Sequence, residues 1–117
     1  ASSINVRKVL WACEEIGIGY TREDTAPEMS RNPNGLVPVI VDGDFVLWES
    51  NTIIRYLATK WRATWLLPDD PRARAEVDRW IDWQATEFNT AWRYAFSALV
   101  RRNPAFDDTR QIEASKA

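Results

Sequence analysis

The segment Leu67-Pro68-Asp69-Asp70-Pro71 constrains the fold more than any other stretch of this chain. Its prolines bar a helix from running through it, while Pro71 suits a first helical position and Asp69 or Asp70 suits the cap before it. The sequence therefore has to be read as two regions. Helical and strand-like periods alternate before the segment, and only a helical period follows it. This predicts an α/β region over residues 1–66, a linker over 67–71 and an all-α region from 72 to 117.

In the first region, Val6, Val9, Leu10, Cys13 and Ile16 fall at helical spacing and Gly17 is a C-terminal stop. An extended piece is expected over Ile18 to Arg22, then a polar loop through Asp24, Pro27 and Asn32. Val37 to Val41 and Phe45 to Trp48 flank Asp42-Gly43-Asp44 and read as a β-hairpin. Ser50 is then a good N-cap for a helix burying Ile53, Ile54, Leu57 and Trp61.

Beyond the linker, a helical pattern of about 31 residues runs from Arg72 to Arg102, roughly 45 Å long at ~1.5 Å per residue. Val77, Trp80, Ile81, Gln84, Phe88, Ala91, Ala95 and Leu99 share one stripe. Arg72 with Glu76 and Arg74 with Asp78 are spaced to pair on the other side, and Arg101 and Arg102 suit the negative end of the helix dipole. Asn103-Pro104 stops the helix, and another starts near Asp107. By spacing, Trp11, Trp61, Trp80, Trp83 and Trp92 are assigned to the core.

Charge and rare residues narrow the chemistry. With 15 basic and 17 acidic residues the net charge is -2, so no global field draws the chain to nucleic acid or anionic lipid. No histidine and one cysteine leave no Ser-His-Asp triad, no internal disulfide and no Cys-pair zinc site within these residues. Cys13, on an apolar helix face between Val9 and Ile16, reads as buried and inert. No apolar run has membrane-spanning length, and a reducing, cytoplasmic location is expected.

A helix opening almost at residue 1 and feeding a strand is the second half of a β-α-β unit, whose first parallel strand is absent from the sequence. The long helix likewise calls for antiparallel partners, and only one short candidate follows it. Residues are therefore expected beyond both ends and in the loop near Asp24. An intact mass of 13.5 kDa for the protein would overturn that expectation.

SSINVRKVLWACEEIGI, then NPNGLVPVIVDGDFVLWESNTIIRYL, then LLPDDPRARAEVDRWIDWQ together resemble a glutathione S-transferase of bacterial type with a theta-like serine motif. The resemblance covers nearly the whole chain and is most specific where N-P-x-G-x-V-P is followed, eleven residues after its second proline, by Glu-Ser at a helix start. It implies a thioredoxin-like, glutathione-binding N-terminal domain and an all-α C-terminal domain of which only the start is present. No CxxC pair occurs, so dithiol redox chemistry does not follow from that fold.

The resemblance also implies site residues. The bond before Pro38 would be cis, and the backbone of Val37 would pair with the cysteinyl part of glutathione as an added strand. On residue statistics alone Pro38 is an ordinary trans proline blunting a sheet edge. Glu49 and Ser50 match the pair that holds the γ-glutamyl end, where free helix N–H groups meet a carboxylate; on their own they read as a solvated carboxylate and a cap. Ser3 matches the theta-like serine that activates the glutathione thiol, Asn5 falls where other bacterial members place Asn or Cys, and Ser2 is an alternative donor. Their commonest use is in turns and caps. Donors aimed at sulfur favour the thiolate, the true nucleophile.

The function implied is a detoxifying glutathione transferase, a homodimer that joins glutathione to small hydrophobic electrophiles without a metal. Two alternatives stand beside it: a glutathione-dependent disulfide reductase or peroxidase, and a non-catalytic binding module of the same fold. AWRYAF, with Trp92, Tyr94 and Phe96 pointing different ways, is expected near the electrophile pocket or the dimer interface.

Overall fold

The computed structural model describes residues 3–24 and 31–116. The chain divides into two compact units, Ala1–Pro71 and Arg72–Ala117. Residues 25–30, Pro27 of the expected loop among them, and Ser2 lie outside the described residues.

The first unit is α/β. Helix α1 (Ile4–Ile16) ends at Gly17, whose φ of 82° places it in the left-handed region and whose N–H bonds back to Cys13 and Glu14. A residue with a side chain would be strained there, which is why the helix stops at this glycine. Strands β1 (Val39–Asp42) and β2 (Phe45–Trp48) form an antiparallel hairpin with Asp42 opposite Phe45. Gly43 alone in the connecting pair has positive φ, 62°, the sign pattern of a tight II′-type turn. Helix α2 (Ser50–Lys60) follows at once.

The core lies between α1 and α2, with Val9, Cys13, Ile53 and Leu57 buried and Ile16, Ile18, Ile40, Leu47, Ile54 and Tyr56 packed around them. Ile40 and Leu47 are cross-strand partners, so one face of the hairpin closes that core.

Three expectations are corrected here. Residues 18 to 22 form no strand, and among the described residues the sheet has two strands; a parallel strand needs a neighbour, and the sequence offers none beside it. Strand β1 begins at Val39 rather than Val37, because Pro38 brings no N–H to the ladder. Glu49, not Ser50, is the N-cap of α2, since its carbonyl accepts the first intrahelical bond, from Ile53 at 2.9 Å.

The second unit is all helical. Helix α3 (Pro71–Trp83) runs through a π-helical turn (Gln84–Phe88) into α4 (Asn89–Leu99), and α5 (Thr109–Lys116) follows. The helix ends at Leu99, short of Arg101 and Arg102; the Arg101 guanidinium instead lies 5.4 Å from the Phe96 ring centroid. Arg74 pairs with Asp78 at 3.6 Å, whereas Glu76 pairs with Arg79 rather than Arg72. Helix α5 docks on α4 through Ser115, whose hydroxyl donates to Ala91 O at 2.6 Å and accepts from Ala95 N at 3.1 Å. A side-chain hydroxyl thus stands inside the backbone ladder of α4.

The tryptophan assignment is the largest correction. Trp11 is 67% exposed, Trp80 61% and Trp61 52%; Trp83 is exposed and Trp92 half-buried. Helical spacing identifies a face but not what covers it. Nothing in α3 is buried; Trp80 meets Trp83 edge-on at 5.8 Å and Trp83 stacks on Phe88 at 5.2 Å.

Candidate glutathione site

Val37 is delivered by a loop that Asn32 organises. The Asn32 side chain, 3% exposed, donates from Nδ2 to Leu36 O at 2.8 Å and accepts from Asn34 N at 2.9 Å. Its own carbonyl accepts from Gly35 N at 2.9 Å, closing a turn in which Pro33 presets the first dihedral. The Val37–Pro38 bond is cis. Val37 itself is exposed, and its backbone N–H and C=O make no hydrogen bond among the described residues.

Across the hairpin stands the start of α2. The ladder ends with Val39 opposite Trp48, so the chain before Pro38 and the start of α2 leave the hairpin at the same end. Ser50 is buried and Glu49 exposed. No side chain caps α2, which leaves its first N–H groups free to meet an anion. Glu49 has φ 75° and ψ 107°, a backbone conformation that side chains other than glycine rarely take. Such residues cost on the order of 1–3 kcal/mol and cluster at functional sites.

Ser3 caps α1 in extended conformation, its carbonyl accepting from Arg7 N at 3.2 Å while its hydroxyl makes no cap bond. Asn5, half-buried, lies in the first turn of α1. Sequence reasoning missed two neighbours of these residues. The Lys8 ammonium donates from α1 to Asn51 Oδ1 in α2 at 2.7 Å, and Asn51 is 8% exposed. Burial pushes the Lys8 pKa down and the Glu49 carboxylate pulls it partly back up. No local pattern signals a pair so far apart in sequence, whereas the N-P-N-G turn could have flagged Asn32. Cys13 is buried as expected, its thiol pushed up in pKa by desolvation.

Among the described residues no cluster could hold a metal ion and no helix is long and apolar enough to cross a membrane. The arrangement suits a peptide-like ligand with a carboxylate end: an extended edge to pair with, and a helix N-terminus for the charge.

Comparison with known proteins gives the chain its family. Residues 2–60 match the family described as "Glutathione S-transferase, N-terminal domain". The chain is 38% identical to glutathione S-transferase GstB of Escherichia coli K12 over 97% of its own length and 60% of that protein's. Among solved structures it is similar to the theta class glutathione S-transferase of Xanthomonas axonopodis pv. citri with glutathione bound, at 43% identity and a TM-score of 0.83 over 97% of this chain and 58% of that one. It is also similar to maize glutathione S-transferase I in complex with an atrazine glutathione conjugate, at 27% identity and a TM-score of 0.78 over 97% and 58%. The fold is that of a thioredoxin-like N-terminal domain followed by a helical domain. The chain belongs to the glutathione S-transferase family and spans 60% of the length of its E. coli relative.

Proposed function

We propose that the full-length protein is a glutathione transferase that conjugates the thiolate of bound glutathione to small apolar electrophiles. The observation that carries this reading is the unused backbone of Val37 at the same end of the hairpin as the uncapped N-terminus of α2. In it, Val37 and Pro38 form the edge that pairs with the cysteinyl unit, Ser50 and the α2 N–H groups take the γ-glutamyl carboxylate, and Glu49 meets the α-ammonium. Ser3 donates its hydroxyl to the thiol, favouring the thiolate, with Asn5 as a second donor at the same helix end. Residues 1–66 serve as the glutathione-binding domain, residues from 72 open the helical domain, and the full-length protein is a homodimer. A cytoplasmic, detoxifying role without a metal follows from the same reading, which the bound glutathione and conjugate of the two relatives support.

Retention on immobilised glutathione tests it. The full-length protein should be retained, and Ser50→Ala should abolish retention while circular dichroism stays unchanged. Absence of any glutathione affinity in the unmutated protein would remove the reading. A glutathione-dependent disulfide reductase or peroxidase is the second reading should Asn5 rather than Ser3 govern the thiol; greater turnover of a mixed disulfide of glutathione than of an aryl halide would select it.

A further inference from the structure

We propose that Lys8 is a positioning residue for the glutathione site, tying the first turns of α1 to the start of α2 and holding Glu49 and Ser50 in place to receive the γ-glutamyl group. The inference rests on the glutathione reading above and adds a residue to it. Lys8 is half-buried, and its ammonium reaches out of one helix to a buried side chain at the second residue of the next, at 2.7 Å from Asn51 Oδ1.

Packing alone does not account for a charge at this place. Desolvation penalises the ammonium, and an unbranched apolar side chain would fill the same space without that penalty. The ammonium contributes in two ways that an apolar side chain cannot. It attracts the Glu49 carboxylate, on the residue whose backbone is held at φ 75°. It also adds a full positive charge to the partial one at the α2 N-terminus, where a ligand carboxylate would sit. Ser3 and Asn5 stand at the start of the same α1. One side chain thus links the end of the site proposed to act on sulfur with the end proposed to hold the ligand.

The test uses the full-length protein carrying Lys8→Met, Lys8→Gln or Lys8→Arg, with glutathione titrated by calorimetry and turnover measured on an aryl halide. Lys8→Met should weaken glutathione binding about tenfold, equivalent to ~1.4 kcal/mol. KM for glutathione should rise by a similar factor, while kcat at saturating glutathione stays within about twofold. Lys8→Gln, which keeps a donor for Asn51 and loses the charge, should fall between Lys8→Met and the unmutated protein, and it carries the test should Lys8→Met not fold. Lys8→Arg should recover most of the affinity. Unchanged affinity in the Met and Gln variants, a loss confined to kcat, or an Arg variant no better than Met overturns the proposal. Absence of glutathione binding by the unmutated protein overturns the functional reading and this inference with it.

Discussion

The Tyr56 hydroxyl donates to Asp42 Oδ2 at 2.6 Å, and the Lys60 ammonium pairs with the same oxygen. Tyr56 and Lys60 lie one turn apart on α2, so the end of β1 is fastened to one face of that helix. The bond from Lys60, then that from Tyr56, holds the Asp42 carboxyl below its ordinary range, and the Asp42 carboxylate raises the pKa of both partners.

A pH dependence follows with a definite sign. A depressed Asp42 contributes stability above the ordinary carboxylate range and loses it as pH falls through its folded value; the raised Lys60 and Tyr56 contribute below their ordinary range and lose it as pH rises through theirs. Asp42→Asn should therefore lower the melting temperature at neutral pH. The gap to the unmutated protein should close as pH falls below the ordinary carboxylate range and as pH rises above the ordinary range of lysine and tyrosine. A gap constant at every pH would contradict this account.

Glu49 makes stability and ligand binding pull apart. Glu49→Gly relieves a conformation costing about 1–3 kcal/mol, more than the ~0.5–1 kcal/mol of chain entropy that glycine adds to the unfolded state. Urea unfolding should show an equal or higher midpoint, and calorimetry a weaker glutathione complex. Glu49→Ala, which keeps the strain, should weaken binding with no gain in stability.

Asn32→Ala removes both side-chain bonds of a buried amide and leaves Leu36 O and Asn34 N without their partner. The expected loss is about 1–3 kcal/mol. Because the loop places Val37, glutathione affinity should fall as well. Denaturant unfolding with a parallel glutathione titration checks both.

Ser3→Ala should lower transferase turnover more than glutathione affinity, since the hydroxyl would act on sulfur and not on the ends of the tripeptide. A loss of about a hundredfold to a thousandfold in kcat is typical for removing one donor to a developing charge. An unchanged kcat would move that role to Asn5 or Ser2.

Much of the first unit is legible in the sequence because its signals are local. Val9 and Cys13 repeat at helical spacing, Gly17 stops α1, and Asp42-Gly43-Asp44 brackets the hairpin turn. The position of Val37 relative to Ser50 is legible only through the family pattern, since the ladder itself ends at Val39. What spacing could not supply was the partner. Trp11 and Trp80 sit on regular helical faces yet are exposed, because burial depends on what packs against a face. Lys8 and Asn51 meet through tertiary packing between polar residues with no shared motif. The strand expected at residues 18 to 22 is missing for the same reason: among the described residues no strand lies beside it.

The buried Cys13 has a practical consequence. Its sulfur is sealed where α1 meets α2, so an alkylating reagent reaches it only when that interface parts. The labelling rate of the peptide carrying Cys13, read by mass, is thus a clock for the opening of the first unit. Glutathione bound at the starts of both helices should slow it.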